Sequence, residues 1–524
     1  MNSFDFSRYK WRRDDKVPDR FKREVGGGEL FDDIFNFHKQ GEQNLFLGTY
    51  IQIYQPYQIL DTSGLIDILR KAWISLRWDV PTVASQILHE PREGSPMPAS
   101  LLVYTLASDR TDVEAWTRET VIPKEGFKDL DTLRYDIVKG VIPDRDLVPQ
   151  TFLYCLPISP TSFGLLLYTS HVPFDGTGVK VLMSRFLEHL SRYISDSQYE
   201  ASEVARHKWG EENVNLLPVS SEILREREPA EFDADGNLIK PEIPEEPREG
   251  QKYTETLNQV LADFARGIQI GHQFKSVKYP LYDQNKDTPL TRRVAHTFTI
   301  EQSKKIIEAC QRAPDRLTVS HLALGCLSLL VVMDNPPEPG SPNVVFYHGL
   351  VDGRNRLAKP YRGTLDYPGY CLGNSSIQIP VNVVDKYAGN VSDNLKSVIF
   401  DFAKAVKKEY VRQSAFPALL AIVNEQVDLM LSAPPPPPSC APWFGGDGRG
   451  AVYLKPKYPQ ESDTALEITD FFVALGKTDP GPFFRITEWN GRIMLSADYN
   501  QKAVEPDVVE GWMKKWAELI LFVT

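Results

Sequence analysis

Apolar positions along the chain alternate between strand-like runs and helix-like stripes. Residues 43–54, running through LFLGTYIQI, read as a strand. Asp61, Thr62 and Ser63 then offer N-caps to a helix whose stripe is Leu65, Ile68, Leu69, Ala72, Trp73 and Leu76. Ser162–Ser170 (SFGLLLYTS) is apolar enough for a strand buried on both faces. It runs through HVPFDG into a second striped helix carrying Val179, Leu182, Met183, Phe186, Leu187 and Leu190. Strand followed by helix, repeated, predicts an α/β architecture.

The pattern breaks at Ser220–Gly250, which is acidic, proline-rich and without periodicity, and is most simply a surface linker. The chain therefore divides into an N-terminal domain over residues 1–215, a linker over 216–250 and a C-terminal domain over 251–524. In the second half, Thr318–Val332 predicts a nearly all-apolar helix, and NVVFYHGLVDG and SSIQIPVNVV predict strands. Residues 391–431 hold two helical stretches split near Pro417, and Pro434–Pro438 is a stiff exposed loop. The end reads as a strand over Gly491–Tyr499 and a helix carrying Val508, Val509, Trp512, Trp516 and Leu519. Its tryptophans read as packing, and His321 as a core or tunnel-wall residue.

A length of 524 residues allows two or three domains. The net charge of -11 argues against a nucleic-acid surface, which is usually basic. The polar start lacks the apolar stretch of a secretory leader, and the run Leu322–Met333 is far short of the ~20 residues a membrane span needs. The five cysteines are scattered with no CxxC pair, which supports neither a zinc site nor a disulfide framework. A soluble cytoplasmic protein is the expectation.

Several motifs fail on spacing. Gly476-Lys477-Thr478 lacks the earlier glycine of a phosphate loop, since Phe471 stands there. FGGDGRG (Phe444–Gly450) misses the dinucleotide spacing and follows a proline run rather than a strand. What remains is His171-Val-Pro-Phe-Asp175-Gly176, where the buried strand ends and the striped helix begins. Crevices open at such junctions, and an imidazole there has a pKa suited to a general base. Asp175 equally makes a good N-cap, and His171 equally a satisfied core residue. A second match, His348-Gly-Leu-Val-Asp352-Gly353, is followed by RNRLAKPYRG with no helical stripe, so context favours His171.

These residues resemble the BAHD and condensation-domain superfamily of acyltransferases. The family's HxxxDG falls on His171, Asp175 and Gly176. Its Asp-x-Arg-x-Arg pattern is similar to Asp352-Gly-Arg354-Asn-Arg356, and its Pro-x-x-Tyr-x-Gly-Asn signature to the segment Tyr367–Asn374. Within the family, RYKWRRDDKVPDRFKREVGGGELFDD and AWISLRWDVPT resemble the fungal trichothecene 15-O-acetyltransferase branch. The Asp-Phe-Gly-Trp-Gly of the plant members is absent, and Ile468–Gly481 reads ITDFFVALGKTDPG instead.

The resemblance implies two chloramphenicol-acetyltransferase-like α/β domains with a channel between them. It implies acyl transfer from a coenzyme A thioester, acetyl-CoA as co-substrate, to a small-molecule alcohol, with His171 as base. Asp175 would be structural and pair with Arg354, and Asn374 would be an oxyanion candidate alongside backbone N–H groups near Gly176. Arg449, Lys455, Lys457 and Lys477 would be candidates for the coenzyme phosphates. No metal, bound cofactor, nucleic acid or membrane is implied, and the family is commonly monomeric. A carrier-bound thioester could use the same histidine to form an amide or close a ring, and a binding homologue could keep the fold without the reaction. No carrier motif is evident, which favours the free coenzyme.

Overall fold

The computed structural model describes residues 4–38, 41–57, 61–92, 98–139, 146–278, 290–363, 365–387, 391–432, 440–459 and 463–524. In the first half the elements that build the site are α1 (Gly28–His38), β1 (Leu45–Ile53), α2 (Thr62–Asp79), β2 (Val121–Pro123), β3 (Thr151–Ser159), β4 (Ser162–Thr169) and α3 (Gly176–Ser195). The second half contributes α4 (Gln251–Gln269), β5 (Thr291–Thr297), α5 (Val319–Asp334), β6 (Val344–Asp352), β7 (Leu372–Pro380), α6 (Leu395–Ser414) and α7 (Val423–Ser432). It continues with β8 (Trp443–Arg449), β9 (Lys457–Tyr458), β10 (Leu466–Leu475), β11 (Phe483–Trp489), β12 (Arg492–Asn500) and α8 (Pro506–Phe522).

β4 is a central strand because almost every side chain on it is apolar and both faces are covered. It pairs antiparallel with β1 on one side and β3 on the other, within a sheet ordered β9-β10-β1-β4-β3-β2. The stripes of α2 and α3 pack in the same core, with Leu69, Trp73, Leu76, Leu182, Phe186 and Leu190 buried. Full burial of each such side chain stabilises by about 1.5–3 kcal/mol. Both helices start where the sequence offers a cap. Asp61 accepts from the Gly64 N–H at 2.7 Å, and Asp175 from the Gly178 N–H at 2.6 Å.

The second half holds a sheet ordered β5-β12-β11-β8 and the antiparallel pair β6-β7, whose register runs from Val344↔Pro380 to Asp352↔Leu372. α5, α6 and α8 bury a second core, in which Trp516 is wholly enclosed and Trp512 nearly so. His321 belongs to the start of α5. The Thr318 N–H donates to its Nδ1 at 3.0 Å while the Thr318 hydroxyl oxygen accepts from its backbone N–H. Burial, with Lys407 nearby, pushes His321 down to about 4, so it stays neutral.

Three features go beyond the sequence reading. FGGDGRG is a strand, β8, running parallel to β11. Residues 216–250 do not hang free, because buried Glu246 accepts from Arg356 at 2.9 Å and from the Leu420 N–H at 3.0 Å. β10, from the second half, crosses over and pairs antiparallel with β1 from Leu475↔Leu45 to Leu466↔Ile53. Pro434–Pro438 lies outside the described residues. Among those described, no helix is long and apolar enough to cross a membrane.

Candidate functional site

β4 delivers the chain to His171, and α3 begins at Gly176. The intervening turn sends the two motif side chains apart. Asp175 is fully buried and carries the guanidinium of Arg354, at 3.1 Å from Nη1 and 2.9 Å from Nη2. It also accepts from the Cys371 N–H at 2.8 Å. Arg354 donates further to the carbonyls of Tyr367 and Gly369, each at 2.8 Å, and to Asp352 at 3.0 Å. This buried network ties the start of α3 to the loop between β6 and β7. A Cβ on Gly178 would lie 2.0 Å from the Pro368 carbonyl oxygen, so the close approach requires glycine there. A Cβ on Gly176 would meet nothing within 4 Å, and the steric demand of the motif therefore falls two residues later than the sequence pattern places it.

The His171 side chain is 11% exposed, and it lines a small pocket between the halves. The polar walls are Asp32, Gln43, His348 and Asn374, and the apolar ones include Phe31, Leu350, Leu372, Val423, Val427 and Trp443. Asp175 is not among the lining residues. Asn374 sits on β7 beside Leu350 of β6, and its Oδ1 is buried without a hydrogen-bond partner among the described residues. His348, which the sequence context ranks below His171, lies in the same pocket and stacks flat on Trp443, with centroids 4.0 Å apart and planes within 1°.

Asp32 is the pocket residue that motif reading missed. It lies on α1, far from His171 in sequence, and its Oδ2 is 3.2 Å from His171 Nδ1. The contact is close but does not form a hydrogen bond, and among the described residues Nδ1 has no hydrogen-bond partner. The short ion-pair distance is the firmer guide, since catalytic hydrogen bonds commonly align only once substrate is bound. The Tyr370 hydroxyl lies beside the same carboxylate and favours its ionised form. Burial raises Asp32 to about 6, although His171 and Tyr370 favour its ionised form. No spacing rule points to it.

The four coenzyme candidates do not converge. Lys477 is fully buried against Glu42, whose carboxylate also accepts from the Asp479 N–H at 2.9 Å, so its charge is already compensated. This overturns its reading as a surface phosphate contact. Arg449 and Lys457 are exposed, and Lys455 lies 3.8 Å from Glu188. None of the four lines the pocket. β8 has another role. Its Asp447 binds Lys180 of α3 and Arg485 of β11, each at 3.0 Å, bridging the halves. Burial disfavours that charge, but Arg485 and Lys180 outweigh it and hold Asp447 down at about 2.

No sequence-family model matches the chain, and no curated protein sequence is significantly similar to it. Solved structures do match. The TRI3 trichothecene 15-O-acetyltransferase from Fusarium sporotrichioides superposes with a TM-score of 0.82 over 100% of both chains at 16% identity. The epimerization domain from the third module of tyrocidine synthetase B gives 0.54 at 10% identity, covering 96% of this chain and 97% of that one. The starter condensation domain of rhizomide synthetase, solved with C8-CoA and Leu-SNAC, gives 0.54 at 9% identity, covering 96% and 94%. The chain shares the two-domain α/β fold of these proteins.

Proposed function

We propose that this chain is a coenzyme A-dependent O-acyltransferase, specifically an O-acetyltransferase acting on a hydroxyl of a sesquiterpenoid such as a trichothecene. The observation that carries the reading is the placement of His171. Its ring opens on a largely apolar pocket between two halves while its motif partner Asp175 is turned away into a buried ion pair. The likeness to a trichothecene 15-O-acetyltransferase over the full chain supports the substrate class.

In this reading His171 Nε2 takes the hydroxyl proton as the acceptor oxygen attacks the thioester carbonyl. A neutral imidazole cannot ionise an alcohol beforehand, so proton transfer and bond formation go together. Such help is worth about 10²–10⁴ in rate. The tetrahedral oxyanion takes a hydrogen bond from the Asn374 carboxamide or from backbone N–H groups near Gly176. Losing one such donor typically lowers the rate ~10²–10³-fold. Collapse breaks the carbon–sulfur bond, and the imidazolium returns its proton to the leaving thiolate. Asp175 and Arg354 hold the turn, while Arg449, Lys455 and Lys457 remain the candidates for the coenzyme phosphates.

The test is incubation with acetyl-CoA and a panel of hydroxylated terpenoids, following free thiol. Acceptor-dependent release that disappears in His171→Ala is expected. His348→Ala should retain release with a raised acceptor KM, because that ring is pocket wall. Turnover confined to carrier-bound acyl groups, or unaffected by His171→Ala, rules the reading out.

A further inference from the structure

A histidine base works only in the right tautomer. Nε2 must present its lone pair to the acceptor, which requires the proton on Nδ1, and the partner of Nδ1 decides this. In this chain the motif aspartate does not serve, because Asp175 is committed to Arg354 and two backbone N–H groups. The carboxylate within reach of Nδ1 is Asp32, at 3.2 Å, with both side chains largely buried.

The structure holds that carboxylate in place from several directions. The Tyr370 hydroxyl lies beside Asp32, and its ring closes over the start of α1, where a Cβ on Gly28 would lie 2.1 Å from the Tyr370 oxygen. α1 is itself clamped on either side of Asp32. Glu29 takes two hydrogen bonds from buried Arg23, at 2.7 and 2.6 Å. Asp33 lies 3.0 Å from His89 Nε2, whose Nδ1 meets Asp146 at 2.8 Å. Three acids of one helix thus face three different basic groups, and the middle one faces the pocket. Asp32 keeps its charge against burial and against the neighbouring carboxylates of Asp175 and Glu42, an arrangement common at functional sites.

We propose that Asp32 is the positioning residue of this site, accepting the Nδ1–H of His171 and so fixing the tautomer whose Nε2 receives the hydroxyl proton. This rests on the reading of His171 as base. Asp32 stays ionised throughout, the proton moving from the hydroxyl to Nε2 and on to the thiolate. The carboxylate also stabilises the transient imidazolium. Loss of such an orienting aspartate lowers kcat by about 10⁴ in the best-studied hydrolytic triad.

The experiment uses the full chain, with thiol release from acetyl-CoA as the rate assay and ¹⁵N-histidine NMR as the tautomer assay, the His171 signal being assigned by its loss in His171→Ala. Wild type should show an Nδ1–H tautomer at position 171. Asp32→Asn should lower kcat ~10²–10⁴-fold, leave the acceptor KM within about threefold, and shift His171 toward the Nε2–H form. Tyr370→Phe should give a smaller kcat loss with the same tautomer drift. An Nε2–H tautomer in the wild type, or an Asp32→Asn enzyme with unchanged kcat beside a dead His171→Ala, overturns the inference and leaves the base reading standing. Undiminished turnover by His171→Ala overturns the base reading itself.

Discussion

The buried pair between Asp175 and Arg354 sets a measurable separation between folding and chemistry. Asp175→Asn preserves volume and keeps a competent helix cap, so the main loss is the negative charge facing a guanidinium that is 2% exposed. Breaking a buried ion pair by removing one partner typically destabilises by about 3–5 kcal/mol. Arg354 still has Asp352 at 3.0 Å and two carbonyls, and Asp352 is one-third exposed, which places the expectation near the lower end, about 3 kcal/mol. At a urea slope of about 3 kcal/mol per molar the midpoint falls by roughly 1 M. Arg354→Met should fall similarly, and the double variant by clearly less than the sum, because it leaves no lone buried charge. Unfolding is followed by far-UV circular dichroism, and thiol release is measured well below the midpoint. There the folded Asp175→Asn enzyme should keep turnover within about tenfold of wild type, since the base is not touched. An unchanged midpoint together with abolished turnover would show that Asp175 takes part in the chemistry, and the structural assignment would be wrong.

Three further outcomes follow from buried charges. Asp32 has a folded-state pKa of about 6 against 3.8 unfolded, so folding loses stability as pH rises from about 4 to about 6. Asp32→Asn should therefore be more stable than wild type at pH 7.5, by roughly 2–3 kcal/mol, and little different near pH 4 in denaturant titrations. For His89, burial pulls the pKa down, but Asp33 and Asp146 prevail and hold it at about 9 against 6.5. Its stabilisation is complete below pH 6.5 and fades as pH climbs through 9, and His89→Gln should flatten that decline in thermal scans. Lys477→Met should destabilise by about 3–5 kcal/mol, because the buried Glu42 charge loses its counter-ion, while the acetyl-CoA KM of the folded enzyme stays unchanged.

What was legible in the sequence was local. Strand β4, the stripes of α2 and α3 and the capping aspartates are written in neighbouring residues, and the structure places them where the periodicity predicts. The apolar run that forms α5 and the tryptophan stripe of α8 were readable for the same reason. Asp32 was not, because its relation to His171 arises only when α1 folds against the end of β4. Lys477 misled in the opposite sense: a lysine in a polar, glycine-bearing segment reads as surface, and only Glu42, supplied by the chain before β1, buries it. β8 escaped notice because glycine weakens the strand signal, whereas pairing with β11 decides the outcome.

The crossing of β10 makes separate lobes a poor description of how this molecule can be handled. A fragment cut in the acidic segment would expose the unpaired edge of β1, and bare edges recruit other chains. The two pieces should accumulate as aggregates when made alone and regain solubility when co-expressed. Because β1 must wait for a segment roughly 400 positions downstream, completion of the first sheet belongs to the last stage of synthesis, when chaperones matter most.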